Sequence, residues 1–271
     1  MNDIPIPQII RILVAVLLAQ VVFNMLLHYL MPVPLIVIGV GQFIPAALVL
    51  IMASNYRATL IESIRHLGDI KTTLIACLFA AITILICAAA AFTLGGKVND
   101  AQQIPSLYPF AAFIPELSLI EFLLFLMLIG PFVHLMNATG EEVFWRGYLL
   151  QGLGQHLNEA KAVFLSGFFW GIWHIPMVVF LNWVFPQPII GSILFTTAMI
   201  TWGYVLAYIR LKNHSLWPPI LMHATANAFV IGFYDSIANA GFNVYTSPWG
   251  LLGIIITLPI ALFLHWKVLR K

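Results

Sequence analysis

Charged residues are scarce in this chain of 271 residues. Asp, Glu, Lys and Arg together make up 8% of it, where a soluble domain carries roughly a quarter. With 62% hydrophobic residues and a mean hydropathy of +0.99, a water-soluble globule is excluded. Cysteine is nearly absent too. Cys77 and Cys87 stand ten positions apart in one apolar run, so on a helix they lie about 15 Å apart and cannot pair there. A net charge of +2 is too small and too dispersed to suit a nucleic-acid partner. Met1-Asn2-Asp3 lacks the basic stretch of a secretory signal, and no small-residue cleavage pattern follows, so the first apolar run is expected to be retained. No internal repeat, low-complexity tract or linker divides the chain, and one membrane domain over 1–271 is expected.

Long apolar runs are what the chain has in abundance. They fall near 8–30, 34–54, 73–95, 117–137, 160–181, 189–209, 216–234 and 248–268, each close to the ~20 residues that cross a bilayer as a helix. The fold expected is all-α, a polytopic membrane protein with about eight transmembrane helices and an intramembrane active site. Gly and Pro inside the runs are compatible with this, because neighbouring helices satisfy the freed backbone groups. Threading the spans with the N-terminus inside puts Arg11, Arg57, Arg65, Lys71, Arg146, Lys161, Arg210, Lys212, Lys267, Arg270 and Lys271 on the cytoplasmic side. Only Lys97 falls outside, so both termini are expected to be cytoplasmic. The stretch from Asn55 to Lys71 sets Leu60, Ile61, Ile64 and Leu67 opposite Arg57, Glu62 and Arg65, a pattern that lies flat on the inner leaflet. An irregular outer loop is expected over 96–116.

An ionisable group at membrane depth is costly, so it marks function by default. Such groups cluster in three strings of the second half. In Gly140-Glu141-Glu142-Val143-Phe144-Trp145-Arg146, the i,i+4 spacing pairs Glu142 with Arg146, while Glu141 points about 100° away and stays unmatched. In Trp170-Gly171-Ile172-Trp173-His174-Ile175-Pro176, Gly167 and Gly171 make a small-residue face for another helix. In His223-Ala224-Thr225-Ala226-Asn227, imidazole and carboxamide share one helix face. Each string alone has a plainer explanation: solvated charges at a helix end, a hydrogen-bonded packing histidine, or an interhelical hydrogen bond.

Geometry ties the first two strings together. If an antiparallel hairpin turns near residues 157 and 158, with Asn158 as the helix N-cap, facing residues have numbers that sum to 315. Glu141 and His174 satisfy that sum, each roughly 24 Å of helix from the turn, and should meet inside the bilayer. An unbroken helix from 117 to 153 would be ~55 Å, too long for one span, so a kink at Gly130-Pro131 or a break near Asn137–Gly140 is required. Trp217-Pro218-Pro219 suits a first helical turn.

A carboxylate and a histidine held in an apolar site can share a water and take its proton. A second histidine and an asparagine are donors suited to a developing oxyanion. These are the parts of direct water attack on an amide. No Ser or Cys is paired with a base, which disfavours an acyl-enzyme. Glu141, His174 and His223 can alternatively be read as zinc ligands with an open position, although no His-Glu-x-x-His string is present.

In order and spacing, the three strings resemble the glutamic intramembrane protease family that contains the CAAX prenyl endopeptidases and the bacteriocin-processing or immunity proteins. The resemblance rests on Glu141-Glu142…Arg146, on Trp170…His174 with Trp where Phe is commoner, and on His223…Asn227. It covers a core of about 118–235, leaving three accessory helices and loops in 1–117. It implies a metal-independent endopeptidase without cofactor, in which Glu141 and His174 activate water and His223 and Asn227 form the oxyanion site. Glu142, Arg146 and Trp170 would give structural support. The partners implied are the lipid bilayer and a prenylated C-terminal peptide, cut to release a tripeptide. The alternatives within the resemblance are an unlipidated or bacteriocin-like peptide, or a non-catalytic immunity protein. A prokaryotic cell membrane or the endoplasmic reticulum fits the spans. A proton-coupled transporter is disfavoured by the lack of paired broken helices in the two halves.

Overall fold

The computed structural model describes residues 3–30, 39–94, 118–181, 185–235 and 243–267. Its regular elements are all helical, with no strand among the described residues. They are α1 (Ile6–Leu30), α2 (Ile44–Met52), α3 (Arg57–Arg65), α4 (Ile70–Thr93), α5 (Leu119–Leu128), α6 (Gly130–Val133) and α7 (Leu135–Glu142). A π-helical turn over Val143–Leu149 leads into α8 (Leu150–Gly154). Then come α9 (Glu159–Leu181), α10 (Pro188–Asn213), α11 (Trp217–Phe229), a second π-helical turn (Val230–Asp235) and α12 (Leu251–Lys267).

Among the described residues, α1, α4, α9 and α10 are each long and apolar enough to cross a membrane alone. Large apolar side chains point outward from them, such as Val14 and Leu18 on α1 and Leu74, Leu78 and Ile82 on α4. Only a hydrocarbon solvent makes that arrangement favourable, and the protein is an integral membrane protein. Each of the eight apolar runs contains a helix. The run at 34–54 lies partly outside the described residues, and so do the whole of loop 96–116 and Lys97.

Local chemistry explains where the helices stop and turn. Asp69 caps α4, its carboxylate accepting from the Thr72 amide at 2.7 Å. Ser118 and Glu121 form a reciprocal capping box at the start of α5. The helix ending at Met52 is bent 94° from the one ending at Arg65, which sets the amphipathic segment across the bundle end. The overlong helix breaks at Gly130-Pro131 and again at His134, where backbone angles leave the helical region. From Leu135 to Glu142 it is continuous, so the first of the two expected breaks is the one used. Pro218 and Pro219 occupy the first turn of α11, as their fixed φ favours.

Small residues bring the elements around the site close together. A Cβ on Gly171 would lie 2.6 Å from Thr196 Cα, and one on Gly167 would lie 3.0 Å from Ile200 Cα, so α9 and α10 touch backbone to backbone. At Gly140 a Cβ would come within 2.6 Å of the Gln42 carbonyl, where the chain turns into α2.

Candidate active site

Glu141 and Glu142 end α7 side by side and are fully buried, yet they serve different neighbours. Glu142 Oε1 accepts from Arg146 Nη1 at 2.9 Å, the pairing expected one helical turn on. Its guanidinium lies over the Trp170 ring, 4.0 Å from the centroid. The π-helical turn begins directly after Glu142, a wider winding that recurs at functional sites.

Glu141 turns the other way, toward α9. Asn158 caps that helix, its side chain accepting from the Lys161 amide at 2.9 Å. The hairpin that follows brings His174 Nε2 to 3.8 Å from Glu141 Oε2. Trp170 Nε1 donates to the same oxygen at 2.6 Å. His174 Nδ1 sits 2.8 Å from the Trp170 carbonyl, which can only accept, so Nδ1 carries a proton and Nε2 is the ring nitrogen turned toward Glu141. Trp173 and Phe195 flank the imidazole, both with ring centroids 4.7 Å away.

The third string completes the cluster from α11. His223 Nδ1 is 2.8 Å from Glu142 Oε1 and its Nε2 is 4.0 Å from Glu141 Oε1. The structure therefore gathers Glu141, Glu142, Arg146, Trp170, His174 and His223 around one buried point. Asn227, one turn beyond His223, is half-buried on the same helix. Among the described residues, no group of three or more His, Cys, Asp or Glu side chains is arranged to hold a metal ion.

Three features were not visible in the strings. The Glu142–His223 bond joins residues 81 positions apart. Trp170 acts through its N–H as well as its ring, which a Phe at that position cannot do. His134, buried at the break between α6 and α7, lies within electrostatic reach of His223. The Pro at 131 that forces the break was the only available signal for it.

Residues 118–229 match the family model for type II CAAX prenyl endopeptidases, Rce1-like. Over 164 residues the chain is 27% identical to a CAAX prenyl protease 2 of Methanococcus maripaludis, a match covering 59% of this chain and 55% of that protein. Over 145 residues it is 23% identical to a probable CAAX prenyl protease 2 of Schizosaccharomyces pombe, covering 46% of this chain and 54% of the relative. The chain thus spans about half the length of these curated relatives. The matched segment holds all three motifs, and through it the chain is similar to the Rce1-like type II CAAX prenyl endopeptidases.

Proposed function

We propose that the protein hydrolyses a peptide bond near the C-terminus of a prenylated, CAAX-type protein and releases a tripeptide. The observation that carries this reading is the gap between Glu141 Oε2 and His174 Nε2. At 3.8 Å it is too long for a hydrogen bond and suits a bridging water that both groups polarise. Glu141 takes a proton from that water as its oxygen attacks the scissile carbonyl. The electron pair moves onto the carbonyl oxygen, and the proton passes to the leaving amine as the C–N bond breaks.

His223 and Asn227 face the developing oxyanion in this scheme. Because His223 Nδ1–H is engaged by Glu142, the ring donates a second hydrogen bond only from a protonated Nε2. The Glu142 carboxylate balances that charge. Glu142 and Arg146 thereby position the oxyanion donor, and Trp170 aims the Glu141 carboxylate. The scheme uses no metal. The catalytic core is residues 118–235, and the helices of 1–117 enclose it as accessory spans. Both termini face the cytoplasm, so the peptide enters from that side while the lipid stays in the bilayer of a prokaryotic or endoplasmic-reticulum membrane.

The test is cleavage of a farnesylated CAAX peptide by purified protein in detergent, with Glu141→Gln as the paired control and a chelator-treated sample beside it. Tripeptide release by the wild type, with or without chelator, and none by Glu141→Gln is the expected result. Loss of activity on chelation overturns the metal-free scheme. Release by neither protein overturns the prenyl-peptide substrate and turns the search to unlipidated peptides or a binding protein.

A further inference from the structure

Arg210 is a buried cation that meets no counter-ion among the described residues. It lies in the last turn of α10 and is 3% exposed. Nη2 donates to Ser63 Oγ at 2.9 Å, while Nε has no hydrogen-bond partner. No carboxylate among the described residues pairs with it, whereas Arg146, the other buried arginine, is matched by Glu142. The C-terminal ends of α3 and α10 make a cation less costly here but leave its charge unpaired. A buried charge normally has a partner, and its absence among the described residues points to one that arrives from outside.

Two helical rulers place Arg210 relative to the site. A Cβ on Gly203 would lie 3.6 Å from Arg146 Nη2, so Gly203 marks the level of the cluster on α10. Arg210 is seven residues further on, two turns, or about 10 Å of helix. The Leu216 amide bonds the Ser63 carbonyl at 3.0 Å, which puts Leu216 at the level of Arg210. His223 is seven residues beyond Leu216, again about 10 Å along α11. The Tyr56 hydroxyl donates to the Gly147 carbonyl, next to Arg146, at 2.7 Å. An extended peptide advances ~3.3–3.6 Å per residue, so three residues beyond a scissile carbonyl reach about 10 Å.

From that match of lengths, and resting on the peptidase reading above, the geometry points to Arg210 as the anchor for the free α-carboxylate of the substrate. A guanidinium presents parallel N–H donors that suit a carboxylate in two-point contact. Arg210 would then measure three residues from the cleaved bond and reject chains that continue past them. Arg57, Arg65 and Lys212 are exposed and face solvent instead.

The test compares one farnesylated CAAX peptide with a free C-terminal carboxylate against the same peptide ending in a carboxamide. With the wild type, the amide should raise KM by about 10- to 100-fold, the loss of a charge-assisted contact, with a smaller effect on kcat. Arg210→Gln should raise the KM for the acid to that for the amide, so that discrimination collapses to near one. Equal KM values for acid and amide in the wild type overturn the anchor while leaving the peptidase reading standing. If the wild type cleaves neither peptide, the peptidase reading fails and the anchor falls with it. The wild-type comparison decides the matter even if Arg210→Gln does not fold. Where that variant does fold, preserved discrimination assigns the carboxylate to another residue and overturns the proposal.

Discussion

His223 and Glu142 are joined by a hydrogen bond of 2.8 Å, and the carboxylate oxygen that receives it also accepts from Arg146 at 2.9 Å. One atom therefore holds the imidazole of α11 and braces the π-helical turn that carries Arg146. Removing a buried partner leaves the other charge uncompensated, which costs about 3–5 kcal/mol. Arg146→Ala and Glu142→Ala should each lower the thermal unfolding temperature in detergent and the yield, along with activity. A variant of either residue that unfolds at the wild-type temperature and loses only turnover would show that the pair does not brace the fold.

The roles assigned to the cluster make unequal demands on its members. Glu141→Ala, His174→Ala and His223→Ala should abolish peptide cleavage with the fold intact. Asn227→Ala should lose ~10²–10³-fold in kcat, the usual effect of deleting one oxyanion donor. Single-turnover cleavage separates the two classes. Wild-type turnover by Glu141→Ala removes the general base from the scheme.

Trp170 gives a subtler test, because its indole N–H donates to Glu141 at 2.6 Å and its ring covers Arg146. Trp170→Phe keeps an aromatic face but deletes the donor. A hydrogen bond to a charged group is worth about 1.5–3 kcal/mol, so Trp170→Phe should slow turnover by roughly tenfold or more while unfolding near the wild-type temperature. Equal kcat in the two proteins would mean that Glu141 holds its position without that bond.

Much of this site is legible in the sequence where the relation is local or passes through one short turn. Spacing of i,i+4 suffices for Glu142 and Arg146, and hairpin counting suffices for Glu141 and His174. The rest depends on how helices distant in sequence are rotated against one another. Neither the Glu142–His223 bond nor the burial of Arg210 against Ser63 leaves a periodic trace. The indole N–H of Trp170 is equally silent, since spacing registers an aromatic ring and not which atom faces a carboxylate. In the fold, Gly130-Pro131 announces a break, but neither the second departure at His134 nor the π-helical turn after Glu142 has a marker in the sequence.

Close backbone packing of α9 on α10 makes a sharp prediction about glycines. Gly171→Ala places a methyl 2.6 Å from Thr196 Cα, and Gly140→Ala places one 2.6 Å from the Gln42 carbonyl and from Phe43 Cα. Backbone atoms cannot rotate away, so the helices must separate, at a cost of about 1–3 kcal/mol for overpacking. Since His174 and Glu141 sit within three residues of these glycines, activity should fall further than stability. Gly154→Ala is the control. Nothing lies within 4 Å of its Cβ position, and replacing a helical glycine there should be neutral or stabilise by up to about 1 kcal/mol. Equal thermal unfolding temperatures for all three variants would contradict the packing.

Orientation rests on the distribution of basic residues and is open to direct measurement. Single cysteines, introduced after replacing Cys77 and Cys87 by Ser, report which side a membrane-impermeant thiol reagent reaches. Gln187 and Tyr245 are exposed at the ends opposite the basic residues, and His214 is exposed beside Lys212 at the end of α10. In intact cells Gln187→Cys and Tyr245→Cys should label, while His214→Cys should label only after permeabilisation. The reverse pattern would place Arg210 and the peptide entrance on the outer side. Cytoplasmic substrates could not then reach Glu141 by the route proposed, so this experiment constrains the substrate as well as the topology.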